Sequence, residues 1–193
     1  MDRDSQAVSE LLNRALTESG LSQTAFAHAL RTSASRLSTY RSGRTKPTAQ
    51  FVMRAGRIAH ALHEAREHRI MTAPATATAI REATDDDWAW RMLLQGRDHL
   101  RLLLRRQDGS EAAWEAAPGP TGQAGFDTLL AALAAHEFEA AGEKPPDWTN
   151  VEALRDPWIP EHPFLDHDEI IEQTPEYLSR LNVFVPERDL VTA

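Results

Sequence analysis

The chain contains no cysteine. Disulfide frameworks, thiolate zinc sites and cysteine nucleophiles are therefore excluded. No apolar run approaches the roughly 20 residues that a membrane helix needs. The opening residues, MDRDSQ, are polar and mixed in charge, unlike a secretory leader. A cytoplasmic protein is the expectation. There is no glycine-rich loop of the kind that cradles phosphate, no cofactor motif and no internal repeat. No Ser/His/Asp set or carboxylate pair stands out, so neither catalysis nor a cofactor is expected. One absence is local. From Leu21 to Thr48 there is no Asp or Glu, yet the stretch holds Arg31, Arg36, Arg41, Arg44 and Lys46, in a chain whose net charge is −8.

That charge is unevenly distributed. Residues 1–71 carry 11 Arg/Lys against 6 Asp/Glu, whereas residues 72–193 carry 10 against 23. Over 193 residues this points to two parts with different partners, the first suited to a polyanion. The first part reads as a row of helices. Val8, Leu11, Leu12, Ala15 and Leu16 recur on one helical face, and Gly20 ends it. Ser22 suits the N-cap of a second helix whose inner face is Phe26, Ala27 and Leu30. Ser33 suits the cap of a third, held by Leu37 and Tyr40 and closed by Gly43. A fourth starts near Pro47 and runs to about residue 69, with Phe51, Val52, Ala55, Ile58, Ala59 and Leu62 as its stripe.

The small, uncharged stretch MTAPATATA reads as a linker. This gives a basic domain over 1–70, a linker over 71–81 and an acidic domain over 82–193. In the latter, Thr84 is placed to cap a helix that begins with three acids and ends with Arg105 and Arg106, matching the helix dipole. A second helix is marked by Phe126, Leu129, Leu130, Leu133, Ala134 and Phe138. From 143 onward proline and tryptophan predict an irregular wrap, then a short helix from Thr174–Pro175 and an extended VFVP. The fold class expected is all-α: an N-terminal bundle of four to five helices plus a second, mostly helical domain.

Two short helices joined by a tight turn, the second basic and polar outside, form the layout of a helix-turn-helix. A helix entering a major groove must be slim and polar on its outer side and anchored from behind. Its rim must attract phosphates, and an acid there would repel them. LSQTAFAHALRTSASRLSTYRSGRTKP resembles the Cro/phage-repressor (XRE-type) helix-turn-helix family, keeping Leu21, Ser22, Gln23, Ala27, Leu30, Ser33, Ser35, Leu37, Ser38, Ser42, Gly43 and Pro47. The match covers about residues 8–62. Two positions depart from the pattern: Arg31 stands where that family usually has glycine, and Arg41 where it often has glutamate. The resemblance implies double-stranded operator DNA as ligand and a homodimer on a palindromic site. It implies base contacts from Ala34, Ser35, Arg36 and Thr39, and phosphate contacts from Gln23, Arg41, Arg44 and Lys46. A solvated basic face, or one for RNA or an acidic protein, is the alternative.

The second half carries less information. Residues 108–193 hold 4 Arg/Lys against 18 Asp/Glu. The tail TPEYLSRLNVFVPERDLVTA loosely resembles antitoxins paired with nucleotidyltransferase-like toxins. This implies an autoregulating repressor that neutralises a toxin protein, with Trp148, Trp158, Phe164, Tyr177 and Phe184 as candidate anchors. The bland alternative makes these aromatics the domain's core. A stand-alone regulator with a small-molecule effector is the other function class. HPFLDHDEIIE gathers possible metal ligands (His162, Asp166, His167, Asp168, Glu169, Glu172), but no metal is expected there, because the spacing matches no zinc or calcium pattern and the acids suit a helix N-terminus. His60 and His63 likewise suit a solvated helix face.

Overall fold

A computed structural model of the chain describes residues 3–191. The protein is all-α: among these residues there are nine α-helices, three short 3-10 helices and a single isolated parallel bridge, Trp158 to Val183. No helix among them is long and apolar enough to cross a membrane. The chain forms two units. The first takes residues through Thr76 together with His99–Gly119, and the second takes Ala77–Asp98 and the chain from Pro120 onward.

The first unit begins with α1 (Arg3–Ser19), α2 (Gln23–Ala29), α3 (Ala34–Arg41) and α4 (Ala49–Glu67). The α1 stripe differs from the one expected. Ser5, Ser9, Leu12, Ala15 and Ser19 are buried, and Leu11 is 47% exposed. The inner surface is set by α4, whose Ala55, Ile58, Ala59, Ala61 and Leu62 are buried. Ser9 and Ser19 return their hydroxyls to the carbonyls of Arg41 and Leu16, and Ser5 lies by Tyr40, Gly43 and Pro47. Gly20 adopts φ +69° at the end of α1, and the Arg66 guanidinium lies where a Cβ would stand. From there Arg66 donates to the carbonyls of Ser19 (3.0 Å) and Glu18 (3.2 Å), closing the helix end. The cap of α4 is Thr48, accepting from the Phe51 N–H at 3.2 Å, so Pro47 lies one residue before the cap instead of in the first turn.

The expected linker is helical. Residues Ala73–Arg81 form α5, with Thr72 Oγ1 accepting from the Ala75 N–H at 3.3 Å. Pro74 falls in the first turn, where its missing N–H costs nothing, and alanine is the best helix former. Residues 99–119, assigned to the acidic domain, complete the first unit: the end of α6 (Asp86–Arg106) supplies buried Leu100 and Leu103, and a 3-10 helix, Ser110–Trp114, follows. Trp114 is 1% exposed and donates Nε1–H to the Met71 carbonyl at 3.0 Å. Glu115 takes a two-pronged ion pair from Arg57, its closest contact 2.7 Å.

The second unit is built on α7 (Ala124–Ala140), buried nearly all round, from Phe126 through Leu129, Leu130 and Leu133 to Phe138. The N-terminal part of α6 belongs here. Its cap is Asp85, not Thr84: the Asp85 carboxylate accepts from the Trp88 N–H at 2.7 Å, and Thr84 donates to Asp85 (3.1 Å). The irregular wrap after residue 143 is observed, relieved only by a 3-10 turn at Asp147–Thr149. It leads to α8 (His167–Glu172) and α9 (Glu176–Ser179). Among the described residues the extended tail pairs at one point, where the Trp158 N–H donates to Asn182 (2.8 Å) and the Phe184 N–H to Trp158 (2.9 Å). Arg97, 2% exposed, donates to the Leu190 carbonyl and to Asp98 (2.8 Å), fixing the last described turn.

Candidate nucleic-acid interface

Both short helices of the basic segment are capped by serine. Ser22 Oγ accepts from the Ala25 N–H at 3.2 Å, and Ser33 Oγ from the Arg36 N–H at 3.1 Å. Such caps are worth about 1 kcal/mol each, which matters for helices of seven and eight residues. Between them the chain turns through Arg31, at φ +55°. Its N–H donates to His28 (2.8 Å), and the Thr32 N–H reaches back to Ala27 (2.9 Å). This is a Schellman closure, and its left-handed position is where glycine is usual. Arginine there carries a cost of about 1–2 kcal/mol. The pair is fastened from behind by buried Phe26, Ala27, Leu30, Leu37 and Tyr40, with Phe51 against the Tyr40 ring at 5.2 Å.

The outer side of α3 presents Ser35 and Arg36 exposed, with Ala34 and Thr39 half-exposed beside them. Arg36 lies back along its own helix. Its Nε donates to the Tyr40 hydroxyl at 2.8 Å, and its guanidinium carbon stands 5.9 Å from that ring's centre. Thr39 donates to the Arg36 carbonyl (2.8 Å), and Ser35 shares a hydrogen bond with Ser33 (3.1 Å).

The four residues expected at phosphates divide into two kinds. Arg44 and Lys46 are exposed in the loop after α3, with Arg44 Nε donating to Ser42 Oγ at 3.0 Å. Gln23 and Arg41 are half-buried and joined: Arg41 donates from Nη1 to Gln23 Oε1 and from Nε to Asn13 Oδ1 (2.7 Å). Gln23 in turn donates to the Ala34 carbonyl at 3.3 Å. The Arg41 guanidinium thus ties α1, α2 and α3 together. Asn13 carried no signal in the sequence, since one polar residue on a helix is unremarkable until its partner, 28 residues away, is known.

In the second unit the candidate aromatics fall in different places. Trp158 packs edge-on against Phe126 (centroids 5.3 Å) and over Gly125, where a Cβ would come within 2.2 Å of the indole. Phe164 is 86% exposed. These two line a common groove, whereas Trp148, Tyr177 and Phe184 do not. Tyr177 stacks on His136 at 4.3 Å, and Trp148 and Phe184 are half-buried. Trp90 and Phe126 complete the aromatic wall. Three of the HPFLDHDEIIE residues serve the backbone: Asp166 and Glu169 form a reciprocal capping box, and His162 Nδ1 accepts from the Phe164 and Leu165 N–H groups (3.1 and 2.8 Å). His60 contacts Glu18 at 2.9 Å, and His63 contacts Arg66 at 3.0 Å. Comparison with family models, curated proteins and solved structures gave no match.

Proposed function

We propose that the first unit binds double-stranded operator DNA in a sequence-dependent way, with α3 in the major groove, and that the protein is an autoregulating repressor acting as the antitoxin of a bacterial toxin–antitoxin pair. The observation that carries the DNA reading is the pairing of α2 and α3 over a shared apolar anchor, with Arg31, Arg36, Arg44 and Lys46 exposed and no acid between Leu21 and Thr48. Ser35, Arg36 and Thr39 are the proposed base readers with Ala34 against a thymine methyl. Arg44 and Lys46 are the proposed phosphate contacts, and Arg41 and Gln23 set the spacing between the helices. A homodimer would place two such helices about one turn of DNA apart. In this reading the protein works in the bacterial cytoplasm, at the nucleoid when bound, and the acidic second unit holds the toxin.

A second reading, a stand-alone regulator with a small-molecule effector, draws support from the groove in the second unit. The neighbouring gene separates the two: a small toxin-like frame favours the antitoxin, a metabolic operon the sensor. The DNA reading is tested by titrating the purified protein against a duplex from its own upstream region and against a scrambled duplex, at two salt concentrations. Clear preference for the upstream duplex is expected. Equal weak binding to both, lost at the higher salt, would overturn the sequence-specific reading.

A further inference from the structure

The groove of the second unit encloses about 830 Å³. Its floor and walls are aromatic: Trp90 and Trp158 both meet Phe126 edge-on, at 6.4 and 5.3 Å. Its lining carries four carboxylates, Asp86, Asp87, Glu161 and Asp189, and one arginine, Arg188. Asp189 is shared between Arg188 (3.9 Å) and His162 (3.3 Å), and Asp86 accepts from the Gln123 amide (3.2 Å). Asp87 and Glu161 make no ion pair among the described residues. At the rim, Phe164 and Val191 are 86% and 66% exposed.

These features select for charge and size together. Aromatic faces and unpaired carboxylates both attract a cation, the first through the ring quadrupole and the second directly. A small molecule seated on the floor would leave the outer face of Phe164 in water. A polypeptide crossing the groove would cover it, with the rim aromatic as an anchor. We propose that this groove docks a segment of a partner protein in which lysine or arginine side chains alternate with apolar ones. The proposal rests on the reading that the second unit binds a protein, and it locates that binding.

The test uses the full chain and two labelled peptides of equal length, one alternating lysine with leucine and one alternating glutamate with leucine, followed by fluorescence anisotropy. The lysine peptide is expected to bind at least tenfold more tightly, and more weakly as salt rises. Phe164→Ala and Glu161→Lys should each weaken it by about tenfold or more. Both side chains are exposed, so the variants should melt with the wild type. Equal binding of the two peptides, no binding of either, or variants that bind like the wild type would overturn the proposal. So would butylammonium displacing the peptide at matching concentrations, because the site would then take a small cation. Co-purification with the protein encoded beside this one keeps the two levels apart. If Phe164→Ala retains as much of that protein as the wild type does, the groove is wrong and the partner reading stands. If neither retains it, the partner reading fails, and the peptide titration alone decides the groove.

Discussion

Arg41 and Arg44 stand three residues apart, carry the same side chain and are predicted to do different work. Arg41 donates to Gln23 Oε1 and, at 2.7 Å, to Asn13 Oδ1, holding α1 and α2 against the end of α3. Hydrogen bonds from a charged donor contribute about 1.5–3 kcal/mol each. The group is half-buried, and water can reach the two amide oxygens once the arginine is gone, so the low end of that range applies. Arg41→Ala should therefore cost about 2–3 kcal/mol. With a urea m value of about 1–3 kcal/mol/M, the unfolding midpoint should fall by roughly 1 M without a change in slope. DNA binding by the folded fraction should keep its salt dependence. Arg44→Ala should leave the urea midpoint in place, weaken all sequences alike and reduce the salt slope by about one. Arg41→Lys is the decisive control. It keeps the charge but has a single nitrogen that cannot serve Gln23 and Asn13 from two fork positions. It should therefore resemble alanine in stability. If Arg41→Ala unfolds at the wild-type midpoint and lowers the salt slope, and Arg41→Lys restores that slope, the guanidinium is a phosphate clamp and the tether is wrong.

Three further expectations follow from single geometries. Arg36→Ala should relax preference at one base pair, a discrimination of about 1–3 kcal/mol measurable with single-substitution operators, and unchanged preference would remove Arg36 from base reading. Arg31→Gly should relieve the left-handed arginine at φ +55°. After the extra unfolded-chain freedom of glycine is subtracted, the net gain is about 0.5 kcal/mol, a melting rise of about 2 °C, and a fall would show that the side chain supports the turn. Gly125→Ala sets a Cβ 2.2 Å from the Trp158 indole, so the ring must move. A loss of about 1–3 kcal/mol with red-shifted tryptophan emission is expected, and unchanged emission would mean that α7 yields instead.

The parts that were legible in the sequence are those in which cause and effect lie within a few residues of each other. Ser22 and Ser33 cap helices that begin one residue later, and Phe26, Ala27, Leu30, Leu37 and Tyr40 are buried at the spacing that periodicity required. Arg31, standing where the resembled family usually has glycine, takes a positive φ. Composition and conformation part company in two places. MTAPATATA has the small residues of a linker, but alanine in a capped segment forms a helix, here α5. Hydrophobicity alone turns Leu11 inward, whereas the buried face of α1 carries Ser5, Ser9 and Ser19 beside Leu12 and Ala15, and Ser9 is held there by the Arg41 carbonyl at the end of α3.

The groove was beyond reach for a different reason. Trp90, Phe126, Trp158 and Asp189 come from four segments spread over a hundred residues, and two of its walls belong to proline-rich chain with no period to read. Local sequence can say that such a chain has aromatics and acids. It cannot say that Gly125 leaves room for one indole, that the indole meets Phe126, and that the carboxylates gather at the same mouth. The same limit applies to Arg41, whose role depends on an asparagine 28 residues earlier. A charge count sees a cation available to DNA. The hydrogen bonds show its donors already turned inward, which is why exchanging its charge and its geometry separately, with alanine and lysine, is the experiment that tells a tether from a clamp.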